Sequence, residues 1–447
     1  MAHSFRVGEE IRSLSRFQVA QRTGFRKILK KYKRWTKDAE LERDLKQRVT
    51  SSPTSFYQLD LGNLLDQYID VLGALRAPFD AADASDPSIG SKPSSPSARI
   101  SRACQNGSDV DFDLVLALTP LGARGSKATY WIHPDHIVEA EVLLLQNMRL
   151  LAGSTPPGTR TSPEATPKRR KSSSTVDKFL GSEDSVGLLV LDHPESFAIK
   201  QNASSLGSGE DTAGTCQVKA AGTARWTTSR NAAIAINLDG SIENIVTAKL
   251  ERKHLPGFLD ASVPLAELSL SPKQDASESN TATSAKLSSA RQWLESHTEV
   301  RPIVGVCSKR TRFVSLHNNN VGGMWATLDR DVIMKSSLHK DLNTDEWYSV
   351  SQTGAIRFPH AILEIRKEGT HSSALMQALD RSHLVCSPYK YLSQCLLYQV
   401  ERVRGFSLEA QAVWACCRPN AMSAPFWVSL SGAIKRSGSM VLSLVLT

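Results

Sequence analysis

Residues 232–250, AAIAINLDGSIENIVTAKL, decide how this chain is read. A run of small and β-branched residues reaches Leu238, Asp239-Gly240-Ser241 breaks it, and IVTAKL resumes the apolar pattern. Short apolar runs on either side of turn residues are strands, and glycine supplies the positive φ of a tight hairpin. The segment therefore predicts an antiparallel hairpin with its turn at 238–241. Working outward, VGLLVLDHP (186–194), RPIVGVCS (301–308) and AILEIR (361–366) repeat the same grammar. Together they predict an α+β chain in which an antiparallel β-barrel with peripheral helices follows a helical region.

The helical region is read from periodicity. Leu14, Phe17, Gln21, Phe25, Ile28 and Tyr32 space a helix over 11–48, and Leu59 to Leu72 predict a second over 55–75. Residues 81–109 are rich in Ser, Pro, Asp and Gly and predict a disordered linker, so the helical domain is set at 1–80. The second domain opens near Val110 with the apolar run Phe112 to Leu118 and extends to 406. Helices are expected within it at 137–151, 289–297, 373–380 and 391–402. Polar inserts are expected near 152–184, with the basic run Lys168 to Lys171 as a solvated loop, and near 268–291. Residues 407–447 read as a tail.

Composition narrows the function classes. The formal net charge is +9, which suits anionic partners. Seven cysteines without a C-x-x-C pair exclude a disulfide framework and a zinc site, and fit a reducing, cytosol-facing protein. No secretory signal is visible, and no apolar stretch reaches the roughly 18 residues of a membrane span; Met440 to Leu446 is too short.

The segment GFRKILKKYKR (24–34) carries the clearest chemistry. Lys27, Lys30, Lys31 and Arg34 fall at i, i+3, i+4 and i+7, on one arc of a helix. Phe25, Ile28, Leu29 and Tyr32 fall on the other, which is expected to pack. Like charges at this spacing repel, and a polyanion relieves that repulsion by neutralising several at once. Nucleic acid is not expected, because no aromatics interleave with the cations on that arc.

RSLSRFQVAQRTGFRKILKKYKRWT (12–36) resembles the last long helix of an SPX domain, with its KILKKHDK-like string. The resemblance implies inositol-pyrophosphate or phosphate contacts at Lys27, Lys30, Lys31 and Arg34. The helical hairpin that opens an SPX domain has no counterpart before Glu9.

A second resemblance runs from about 110 to 406, carried by ATYWIHPDH (128–136), RPIVGVCSKRTRF (301–313), FPHAILEIRKE (358–368) and SHLVCSPYK (382–390). In order and spacing these are similar to the polyphosphate-polymerase domain of vacuolar transporter chaperone (VTC) proteins, a triphosphate-tunnel-like barrel. Such a tunnel needs Lys and Arg on alternate strand positions, and a carboxylate to hold a divalent metal that polarises the phosphoryl group. The resemblance implies Glu364 as metal ligand, with Mn or Mg as cofactor if the tunnel is functional. It implies substrate contacts at Lys127, Arg225, Lys249, Arg310, Arg366 and Lys390.

The departures are many. Ser308, Trp325, Thr129, Thr223 and Thr247 stand where family members have a Tyr, an Arg, a Lys, an Arg and a Glu. A Ser-Lys pair aligns poorly near Leu392 and Ser393. The expectation is therefore a non-catalytic accessory subunit, with other VTC-type subunits as partners, at the cytosolic face of the vacuolar membrane. Members of that architecture usually continue into a small membrane domain, so three readings of the chain's end stay open: a truncated product, an incomplete gene model, or a subunit held by its partners. Two alternatives stay open: an active ATP- and metal-dependent polyphosphate polymerase, and a polyanion- or membrane-binding adaptor.

Overall fold

The structure is a computed structural model. It describes residues 2–36, 39–83, 95–151, 184–206, 220–228, 231–239, 244–260, 263, 278–316, 318, 322–342, 344, 347–350, 354–369, 374–381 and 400–429.

The N-terminal region forms α1 (Ala2–Thr36), α2 (Ala39–Ser51) and α3 (Leu61–Asp83). The expected helix over 11–48 is thus two helices, and the second expected helix starts later and runs longer. Two short helices follow, α4 (Pro96–Asn106) and α5 (Asp109–Leu118). They correct the reading of 95–109 as linker and of 112–118 as the opening run of the barrel. Local chemistry explains both. Ser95 caps α4 with proline at the first helical position, and Ser108 with Asp111 forms a capping box at the start of α5.

The rest is sheet with helices: β1 (Ser126–Ile132), α6 (Ile137–Asn147), β2 (Met148–Leu150), β3 (Asp184–Asp192), α7 (Pro194–Leu206), β4 (Gly222–Thr227), β5 (Asn231–Asn237), β6 (Ile245–Glu251), α8 (Leu255–Leu259), α9 (Glu278–Ser296), β7 (Arg301–Ser315), β8 (Gly323–Lys335), α10 (Trp347–Val350), β9 (Ile356–Arg357), β10 (Ala361–Glu368), α11 (Ala374–Arg381), β11 (Val400–Arg402) and α12 (Leu408–Cys416). The strands make one antiparallel sheet in the order β11-β1-β10-β8-β7-β3-β4-β5-β6, with β2 on β7 and β9 on β8. β5 and β6 pair from Asn231–Glu251 to Asn237–Ile245, as the opening segment requires. The expected barrel is not closed: β11 and β6 are the ends of the path.

Strand alternation gives the sheet two faces. The outer face is apolar. Ala128, Tyr130, Ile132, Met324, Ala326, Leu328, Leu363 and Ile365 pack with α6, α11, α1 and α3. Further along, Trp226, Ile234, Ile236, Ala248 and Leu250 pack with α8 and α9. A Cβ on Gly187 would lie 2.1 Å from the Trp226 ring, so only glycine fits there. The inner face carries the alternate residues, including those expected to bind phosphate.

Three further differences concern helices. α9 covers much of the segment expected as polar insert. The tail reading is corrected by α12, whose Ala410, Ala412 and Val413 are buried against Val304, Val306 and Val332. Of the helix expected at 391–402, residues 400–402 form strand β11 rather than helix, and residues 391–399 lie outside the described residues. Lys168 to Lys171, Lys390, Leu392, Ser393 and Met440 to Leu446 also lie outside them.

Candidate functional site

The inner face encloses a cavity of about 600 Å³. It is bordered by β1, β10, β8, β7, β3 and β4, by α5 and by the segment from β11 into α12. Of the residues expected to form a tunnel, Lys127, Arg225, Arg310, Arg366 and Glu364 line it together. Lys249 does not. It sits on β6 at the sheet end, 2.7 Å from Asp111 of α5, with its side chain 63% exposed. The substituted positions Thr129 and Thr223 also line the cavity.

The cations meet carboxylates of the chain itself. Arg310 donates through Nε and Nη2 to Asp329, both at 2.8 Å, and its Nη1 is 3.3 Å from Asp113. Arg312 donates to both oxygens of Asp113, at 2.9 and 2.7 Å. Arg225 reaches Glu409 of α12 at 3.3 Å. Lys127 reaches Glu364 at 2.8 Å. Arg366 is bound to Glu368 and donates to the carbonyls of Leu116, Thr119 and Pro120 at 3.2, 2.5 and 2.7 Å. It therefore satisfies the free carbonyls at the C-terminus of α5, where a cation also meets the negative end of the helix dipole.

α5 is the key to this arrangement. Its three aspartates each find a basic residue of the inner face: Asp109 lies 4.0 Å from Arg312, Asp111 pairs with Lys249, and Asp113 with Arg310 and Arg312. Its apolar side rests on the same face. Phe112 and Leu116 pack with Trp325 and Val314, and Val110 and Leu114 with Ala233 and Ala235. Trp325, which stands where family members are expected to have an arginine, is the platform on which α4 and α5 sit. Ser308, in place of the expected tyrosine, donates to Asp329 at 2.9 Å.

The electrostatics follow from these contacts. Burial works to raise the pKa of Asp113, and the guanidiniums of Arg312 and Arg310 more than offset it, holding the carboxyl below its ordinary range. Burial likewise opposes ionisation of Glu364, yet Lys127, Arg310 and Arg225 bring its pKa down. Arg310 is pushed up: burial disfavours its charge, but Asp329 and Asp113 outweigh that.

The Glu364 carboxylate accepts from Lys127 at 2.8 Å, and among the described residues no group of three or more His, Cys, Asp or Glu side chains could hold a metal ion. The Lys127 ammonium is the cation beside that carboxylate in this structure.

Sequence reading missed Asp113, Arg312, Asp329, Glu409 and Arg404. Two signals were present. Arg312 stands two residues from Arg310, on the same face of β7, and Asp109, Asp111 and Asp113 sit in the helix that the Ser108 capping box starts. Arg404 borders the cavity and has no acidic partner among the described residues.

The second candidate lies on α1. Lys27, Lys30, Lys31 and Arg34 are all exposed on its C-terminal half. On the other arc Leu29 is buried, and Phe25 packs on Phe56 and Tyr57 with ring centroids 6.1 Å apart. Ile28 departs from expectation: it is 66% exposed rather than packed. The N-terminal half is fixed to α6 through Glu139, which is fully buried and pairs with Arg16 at 2.6 Å and Arg12 at 3.7 Å. Arg26 reaches Asp135 at 3.6 Å. No residue of α1 borders the cavity, so the two candidate sites are separate.

In a comparison with protein families, residues 236–396 fit the family model of the VTC domain. That stretch runs from the end of β5 through β10 and α11, and contains Lys249, Arg310, Glu364, Arg366 and Lys390. The sheet region of the chain thus contains a stretch similar to the VTC domain. No curated protein matches the chain. No helix of the described residues is long and apolar enough to cross a membrane.

Proposed function

We propose that this chain is an accessory, non-catalytic subunit of a VTC-type polyphosphate-polymerase assembly at the cytosolic face of the vacuolar membrane. In this reading it binds inositol pyrophosphate or polyphosphate through Lys27, Lys30, Lys31 and Arg34. Other VTC-type subunits are its partners. The observation that carries the reading is the neutralisation of the inner face by α5. Arg310, Arg312 and Arg366 are held by Asp113 and by the carbonyls after Leu116, so the charge a phosphate chain would need is engaged within the protein. Charge-assisted hydrogen bonds of this kind contribute about 1.5–3 kcal/mol each, and a substrate would have to displace several at once. The exposed cations of α1 carry no such cost.

The test is synthesis. Purified protein supplied with ATP and Mn²⁺ should make no polyphosphate, alone, while still binding an inositol pyrophosphate. Chain synthesis at the rate of an ordinary enzyme would sink the accessory role. The active-polymerase reading has one observation in its favour, the 600 Å³ cavity with Arg404 at its border. It requires α5 to leave the sheet, and the same assay decides it.

A further inference from the structure

The exposed side of α1 holds an apolar pattern that the cavity does not use and that meets the basic arc at Lys31. Leu14, Phe17, Gln21, Gly24, Ile28, Lys31 and Trp35 follow one another at alternating steps of three and four residues, the seam of a coiled coil. They lie on the side of α1 away from Ile11, Ser15, Val19 and Leu29, which are buried in the fold. Leu14, Phe17, Ile28 and Trp35 are 40%, 54%, 66% and 72% exposed. A Cβ on Gly24 would meet nothing within 4 Å, so the seam is open at its middle and a second backbone can approach closely there. Lys31 lays its ammonium over the Trp35 ring at 4.6 Å.

The flanks of the seam are basic. Between Arg22 and Thr36 the helix has seven Lys and Arg residues, and no Asp or Glu follows Glu10 on it. Lys27 and Arg34 occupy the flanking positions whose charges meet a partner helix across a coiled coil. A second copy of α1 would set these cations against one another. A membrane surface favours a broad, continuous apolar face, whereas here Gln21, Gly24 and Lys31 interrupt a narrow seam.

We propose that this seam docks an acidic amphipathic helix of another protein, paired with α1 as a two-stranded coiled coil. Leucine-type side chains of the partner would fill the seam around Phe17, Gly24 and Ile28, and its glutamates would face Lys27 and Arg34. The proposal shares Lys27, Lys31 and Arg34 with the phosphate-binding arc, whereas its apolar contacts, Leu14, Phe17 and Ile28, lie outside that arc.

The test uses the full chain and a fluorescein-labelled synthetic peptide of about four heptads, with Leu along the seam and Glu on both flanks. Saturable binding by fluorescence anisotropy is expected. Phe17→Glu with Ile28→Glu should weaken it by about tenfold or more, with circular dichroism unchanged because both side chains are exposed. A matched peptide with Lys on its flanks should not bind. Equal binding of the two peptides, no binding of the acidic one, or no effect of the double variant would each overturn the proposal. So would sedimentation showing that the unaltered chain dimerises and the double variant does not, since the seam would then belong to a second copy. Binding to phosphatidylserine vesicles that the double variant loses, without peptide binding, would assign it to membrane instead.

Discussion

The chain gathers positive charge in two places, and the two end differently. On α1, Lys27, Lys30, Lys31 and Arg34 stand exposed on a helix whose other side is anchored to α6 and to the 52–60 turn. On the inner face of the sheet, Arg312 and Arg366 are buried and Arg310 is half-buried, and all three are bound to acids or carbonyls of the same chain. Charge density alone therefore does not mark a ligand site. What matters is whether the fold has already supplied the counter-charge. A buried cation with its partner in place is structural, and disturbing the pair exposes an uncompensated charge. Exposed cations held at helical spacing contribute little to stability and remain available to a polyanion.

The comparison breaks most readily at Asp113. Asp113→Ala leaves the buried Arg312 and the half-buried Arg310 with one carboxylate fewer, and the expected loss is about 3–5 kcal/mol in urea unfolding. Little or no loss would mean that α5 is not clamped to the sheet. Asp113 also gives the clamp a pH dependence. Its pKa is depressed in the fold, so its contribution is present above the ordinary carboxylate range and lost as pH falls through it.

His360 provides a second effect, at milder pH. It is 7% exposed in the turn before β10, stacked on Trp131, and burial pushes its pKa down to about 4. The unfolded chain takes up the proton first, so stability should fall as pH drops from about 6.5 towards 4, by on the order of 3 kcal/mol. Chemical denaturation at pH 7 and pH 5 checks this, and His360→Phe should flatten the difference. A smaller effect belongs to Ser108→Ala, which removes one half of the capping box of α5 and should cost about 1 kcal/mol. The smallest is Lys249→Ala. Its ion pair with Asp111 is largely exposed, and a change of at most about 1 kcal/mol is expected.

These sites also show what the sequence made legible. The antiparallel hairpin at 232–250 was readable because a strand, a glycine turn and a second strand need no distant partner. The alternation of Glu364 and Arg366 on one face was readable for the same reason. α5 was harder. Its aspartates alternate with Val110, Phe112 and Leu114, a period of two, and only the capping box at Ser108 betrays the helix. Its aspartates could be matched with Arg310, Arg312 and Lys249 only after the sheet had brought 109–113 beside β6 and β7. Trp325 carries the same lesson. In the sequence it is a lost arginine, whereas in the fold it is the surface that lets α4 and α5 settle on the inner face. The exposure of Ile28 was hidden as well, because periodicity tells which residues share a side and not what covers it.

The most direct measurement titrates the full chain and two variants with a polyphosphate of defined length. One variant carries Lys27→Ala, Lys30→Ala, Lys31→Ala and Arg34→Ala; the other carries Arg404→Ala and Lys127→Ala at the cavity. The expected result is that the α1 variant loses about tenfold or more in affinity while the cavity variant binds like the unaltered chain. If the cavity variant loses the affinity and the α1 variant keeps it, the inner face is the ligand site and the comparison is reversed.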